Sequence, residues 1–250
     1  MEGLTSKYSK IMKEWIIGNW FFRFCRASIR KLTYRKRALE EIYWKMNLEE
    51  RIKSSASTRH LVLKSGGWAI GPAGLCLIWD AINQTEKPKV LEFGLGESTK
   101  LIEKLETKCH TVVEHDRQWA DHWTQSFLKE VDDIKAEIRI VPAVMTSKSS
   151  RYEISPDDLQ MDYNIFIVDG PFGSSKNSRL NILDFIPNWK SDKEFIIVID
   201  DIHRSGELQL FASVKTLLTQ KGIGFRSKKF SDRKQVGIIC SSTYWSIVSF

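Results

Sequence analysis

Cysteine is scarce and scattered in this chain. The four present, Cys25, Cys76, Cys109 and Cys240, form no CxxC pair, which argues against a zinc knuckle, a dithiol redox motif or the disulfide framework of a small secreted domain. A reducing, cytoplasmic setting is the expectation. Long apolar runs are lacking too. The best, Trp15 to Phe24, is broken by Gly18, Asn19 and Arg23 and falls short of the roughly 20 apolar residues that span a bilayer; it also lacks the form of a signal peptide. There is no internal repeat, no low-complexity tract and no Ser or Cys set out with a base as a nucleophile. Cys109 and Cys240 sit in or beside predicted elements and read as packing residues.

What is there is an ordinary globular composition, 42% hydrophobic and 28% charged over 250 residues, enough for one α/β domain with an appendage. The net charge of +7 is unevenly placed: residues 1–50 hold eleven Lys and Arg against six Glu, so this stretch carries +5 of the total. The rest is nearly neutral. A uniformly basic surface would point to nucleic acid; with the excess confined to one end, nucleic acid is disfavoured as a partner.

Residues 1–55 read as a basic helical extension, with Trp15, Ile16, Trp20, Phe21 and Phe24 at helical spacing beside Lys10, Lys13, Arg23, Arg26 and Arg30. Such a face packs on the main domain or on a second copy in a homodimer, or lies on an anionic membrane surface as a peripheral contact. From residue 56 to 250 the pattern changes to short β-branched runs alternating with helical stretches, the sign of βαβ units. Pro72 opens a helix over Ala73–Ile82. Strands are predicted at Lys89–Phe93, Thr111–Val113, Ile138–Val141, Ile165–Val168 and Phe195–Ile199, with helices at Glu97–Leu105 and Asp116–Glu130 between the first three. Leu210, Val214, Leu217 and Leu218 mark a further helix that Gly222 closes. The last two strands, Phe225–Phe230 and Val236–Ser241, are joined by Ser231–Lys234. That link is too short for a parallel crossover, so the final strand runs antiparallel.

The run Val90-Leu-Glu-Phe-Gly-Leu-Gly-Glu-Ser-Thr99 is a buried strand that turns at Gly94 and Gly96 into a helix. Glycines there allow a sharp turn and close approach to a ligand, or simply tight packing. Glu114 ends the second strand, where an acid accepts hydrogen bonds from ribose hydroxyls. Thr99 stands where a third glycine would admit a pyrophosphate, which favours a nucleoside ligand without phosphates over NAD.

These residues resemble the class I S-adenosylmethionine-dependent methyltransferases, in a bacterial-type subgroup with the motifs LEFGxGxST (Leu91–Thr99), VEHD (Val113–Asp116), DGP (Asp169–Pro171) and DDxxR (Asp200–Arg204). The resemblance covers residues 60–245 and includes Ser65-Gly-Gly-Trp68. It implies an α/β, Rossmann-like fold: a mostly parallel seven-stranded sheet with one antiparallel terminal strand, plus the N-terminal helices. It also implies S-adenosyl-L-methionine as cofactor, with Gly67, Glu92, Gly94, Gly96, Ser98, Glu114, His115 and Asp169 around it. The adenine would be read by backbone or by residues elsewhere, because Pro142-Ala-Val-Met145 offers no acid or amide.

Asp169, Asp200 and Asp201 end strands whose carboxyl ends face the ligand crevice of a parallel sheet. Together they could hold a divalent cation such as magnesium, as in catechol-type O-methyltransferases; alternatively one Asp, or His203, acts as general base, or the acids merely cap turns. The expected activity is methyl transfer to a hydroxyl or carboxyl of a sugar or small metabolite. The loop Thr146–Met161 and the segment Phe172–Arg179 are expected on the acceptor side. A binding module that has lost catalysis and an NAD-linked oxidoreductase are the alternatives.

Overall fold

The computed structural model describes residues 36–64, 69–159 and 161–249. The aromatic stripe from Trp15 to Phe24 and Gly67 lie outside them. Helix α1 covers 36–54 and α2 Pro72–Gln84. There follow β1 (Lys89–Phe93), α3 (Glu97–Glu103), β2 (Cys109–Glu114), α4 (Arg117–Phe127) and β3 (Glu137–Ile140). After a short hairpin, β4 (Ala143–Met145) and β5 (Ser150–Tyr152), come β6 (Ile165–Val168), α5 (Ile182–Phe185), β7 (Ile196–Ile199), α6 (Ser205–Gln220), β8 (Phe225–Ser231) and β9 (Gln235–Ser241).

Seven strands form one sheet in the order β3-β2-β1-β6-β7-β9-β8. β1 pairs in parallel with both β2 and β6, β6 with β7, and β2 with β3, while β9 lies antiparallel between β7 and β8. The antiparallel terminal strand follows from the short hairpin link, as the sequence requires. Chain order reverses on the two sides of β1, so a crevice opens between the carboxyl ends of β1 and β6, the place where open α/β sheets take ligands.

The period of two decides which side chains face which helix layer. Val90, Ile165, Ile167, Ile196, Val198 and Ile238 pack on α2 residues such as Leu75 and Ile78. Leu91, Phe93, Phe166, Ile197, Ile199 and Ile239 point the other way and meet Leu210, Val214 and Leu218 of α6. A strand buried on both faces must be apolar at every position, which is why IFIV and IIVI are continuous runs. The described part of the extension packs on the main domain: Trp44, Leu48 and Ile52 of α1 join the α2 core, and Arg51 holds Asp80 of α2 through two bonds of 3.0 and 2.9 Å. Such a forked pair fixes orientation as well as distance.

One expectation is corrected, and two short elements are added. The stretch Thr146–Met161, read as one polar loop, carries β5, which pairs antiparallel with β4; three-residue strands are too short to show a period. Residues 182–188 form a helical turn and a 3-10 turn that no pattern announced. A further 3-10 segment, Ser242–Val248, closes over β8 and β9.

Candidate active site

The glycine turn after β1 owes its shape to local sterics. Gly94 has φ of +101°, and a Cβ there would meet the backbone of Asp169 and Gly170 at 3.0–3.2 Å, so only glycine suits the position. Gly96 is different: a Cβ there would project into open space. The turn is held from above by two indoles one helical turn apart on α4. Trp119 Nε1 donates to Leu95 O at 2.8 Å and Trp123 Nε1 to Gly96 O at 3.1 Å.

Glu114, at the end of β2, accepts from the backbone N–H groups of His115 (2.6 Å) and Asp116 (2.9 Å) on Oε1 and of Leu95 (3.1 Å) on Oε2. Three of its four acceptor sites are thus taken, leaving one lone pair on Oε2 for a ligand. Glu92 has another place. It is fully buried below the turn and accepts from Ser98, Thr99 and His110. Glu92 and Ser98 therefore brace the turn from beneath, because the alternation of β1 points Glu92 away from the crevice. His110 completes this buried cluster, with Glu103 on its other ring nitrogen at 3.5 Å. Burial alone would lower its pKa, but hydrogen bonds to Glu103 and Glu92 outweigh this and raise it.

A cavity of about 530 Å³ opens over these strand ends. Of the residues the sequence singled out, Gly94, Gly96, Glu114, His115, Asp169 and Asp201 line it, joined by Tyr152, Arg179, Arg204, Trp119 and Phe172. Asp200 and His203 stand outside the lining. A second hollow of about 490 Å³, lined by Lys89, Asp162, Asn164 and Lys193 among others, opens at the opposite, amino-terminal edge of β1 and β6, away from the strand ends where parallel sheets take ligands.

Asp169, Asp200 and Asp201 do converge: one carboxylate oxygen from each lies within 4.8 Å of the others. That spacing suits a hard cation. The chain itself already supplies positive charge at those oxygens. Arg179, buried, lies 3.3 Å from Asp169 and 3.5 Å from Asp201; Lys234 is 3.4 Å from both Asp200 and Asp201; Arg204 is 3.0 Å from Asp201. With three cations in place, the acids as arranged do not fit a divalent ion, which would have to expel Lys234 or Arg179 at the cost of an unpaired buried charge.

Lys234 reaches the cluster from the turn between β8 and β9. There Asp232 accepts from Lys234 N (2.7 Å) and, through its other oxygen, from Ala73 N in the first turn of α2 (2.9 Å). One side chain thus caps a helix and seats the lysine. Burial, then the charge of Asp200, pushes the Asp169 carboxyl well above the usual range. Burial and Asp201 push Asp200 up to about 6. His203 moves the other way, lowered first by burial.

The shape of this chain has well-defined counterparts among solved structures. A protein from Staphylococcus aureus, provisionally described as a caffeoyl-CoA O-methyltransferase, matches over 82% of this chain and 100% of its own length, with a TM-score of 0.52 at 13% identity. An O-methyltransferase from Bacillus cereus, solved in complex with SAH, matches over 83% of this chain and 99% of its own, with a TM-score of 0.50 at 14% identity. The fold is the Rossmann-like class I methyltransferase fold. At such identities the likeness carries the architecture and no further. No protein-family model matches the chain, and no curated protein matches its sequence. In the class I methyltransferase fold seen here, the sequence motifs fall at the strand ends around the cavity. The segments that carry Tyr152 and Arg179 were expected on the acceptor side, but these side chains, like Lys234, were not singled out, because they come from a hairpin, a loop and a turn whose side-chain directions only the tertiary fold sets. Arg204 and Trp119 did carry a signal, the first inside DDxxR and the second one turn ahead of Trp123.

Among the described residues, no helix is long and apolar enough to cross a membrane.

Proposed function

We propose that this chain is an S-adenosylmethionine-dependent methyltransferase that methylates an oxygen, the hydroxyl or carboxyl of a sugar or small metabolite. The observation that carries the reading is the convergence, in one cavity of a class I methyltransferase fold, of the Gly94 and Gly96 turn, the Glu114 carboxylate and Asp169. Glu114 suits a ribose hydroxyl, Gly96 leaves room for the amino-acid end of the cofactor, and Asp169 marks the side where the acceptor enters.

When bound, S-adenosylmethionine supplies a methyl group made electrophilic by its sulfonium centre. The protein's task is alignment and removal of one proton. Asp169 lies in the cavity wall, where it would take the proton from an acceptor hydroxyl that receives this methyl group. Its raised pKa makes it a stronger base than an ordinary carboxylate, and Arg179 holds it in orientation. A carboxyl acceptor is already ionised and needs no base. Asp200, Asp201 and Lys234 keep this wall rigid and neutral without a metal.

Isothermal titration with S-adenosylmethionine and, separately, NAD tests the reading. Binding of the first alone, abolished in Glu114→Ala, supports it; binding of NAD in its place, or of neither, sinks it.

A further inference from the structure

Among the described residues, Tyr152 has the one buried side-chain polar atom of the cavity wall that makes neither a hydrogen bond nor an ion pair. Its side chain is fully buried, stacked on Phe93 with ring centroids 6.0 Å apart and edge-on to His115 at 6.0 Å. The hydroxyl sits over the ends of β1 and β6, where a side chain at Gly170 would collide with it. Glu114 first, then Arg179 and Asp169, are the charges that act on it most strongly. A hydroxyl left unpaired in such a place is costly, so a ligand atom is its natural partner. Burial foremost, with Glu114 adding to it, keeps the phenol protonated and therefore a donor.

The demand for a donor exists at the same spot. Glu114 has one free lone pair and can satisfy one ribose hydroxyl. The remaining ribose oxygens need a partner on the neighbouring wall, and Tyr152, projected by the β4–β5 hairpin beside His115, stands there. We propose that Tyr152 Oη donates a hydrogen bond to the ribose of the bound nucleoside, making the β4–β5 hairpin part of the cofactor site. This rests on the cofactor reading above and assigns Tyr152 to positioning.

The test compares wild type and Tyr152→Phe by isothermal titration with S-adenosylhomocysteine and with adenosine, alongside the thermal midpoint of each unliganded protein. The expected result is a loss of about tenfold in affinity for both ligands, with an unliganded midpoint equal to or above wild type because an unpaired buried hydroxyl has been removed. Equal affinity in wild type and variant overturns the proposal. A loss of affinity together with a lower unliganded midpoint also overturns it, since the hydroxyl would then serve the fold. If wild type binds neither ligand, the cofactor reading itself falls and takes this proposal with it.

Discussion

At the scale of single residues, the site is a set of carboxylates whose protonation the fold has displaced. Asp169 and Asp200 hold their protons more tightly in the folded protein than in the unfolded chain, and His110, between two glutamates, does the same. A group whose folded pKa is raised stabilises the fold fully below its unfolded value and less as pH climbs through the folded one. For Asp200 that loss runs from the ordinary carboxylate range to about 6, and for His110 it continues above the usual histidine value. The thermal midpoint should therefore be higher near about pH 5.5 than near about pH 8; a midpoint that rises over this interval would contradict the assignment. Methyl transfer to a hydroxyl should instead gain with pH, as Asp169 must be ionised to take the proton. Asp169→Asn is expected to keep cofactor affinity within about threefold while lowering turnover by about 10²-fold or more, the usual worth of a general base. Glycine adds a separate check. A Cβ at Gly96 meets no neighbour within 4 Å, so the stability of Gly96→Ala should stay within about 1 kcal/mol of wild type while titration shows weakened cofactor binding.

At the scale of elements, the β8–β9 hairpin does more than close the sheet. Its turn residue Asp232 bonds the first turn of α2, and two positions on Lys234 enters the acid cluster. Asp232→Ala should cost about 1–2 kcal/mol in chemical denaturation through loss of a helix cap, and should loosen Lys234. A Lys234→Met variant leaves Asp200 and Asp201 short of a cation. Manganese, followed by its paramagnetic signal, should bind this variant more tightly than wild type, and wild-type methyl transfer should survive EDTA. Tight manganese binding by wild type would show that the acids hold a metal after all. The β4–β5 hairpin shows the limit of periodicity: Ser150 and Tyr152 are buried and Arg151 between them is not, yet three residues with one charge read as loop.

At the scale of the whole molecule, the architecture was legible because its causes are local and repeated. The runs IFIV and IIVI could only be strands buried on both faces, the helix at Leu210–Leu218 shows its apolar stripe, and a short link forces β9 antiparallel. The glycine turn and Glu114 were equally readable, since strand ends set their positions. The sequence by itself thus determined the layers, the direction of each sheet strand and the edge at which the candidate residues gather. Only the tertiary structure decided what the site is made of. It turned Glu92 and Ser98 inward beneath the turn, left His203 off the cavity wall, and brought Tyr152, Arg179 and Lys234 from distant segments to the same strand ends. The reason is physical: strand and helix periods are fixed by neighbours a few residues away, whereas the neutralisation of three clustered acids depends on charges far along the chain that meet only once the sheet has closed.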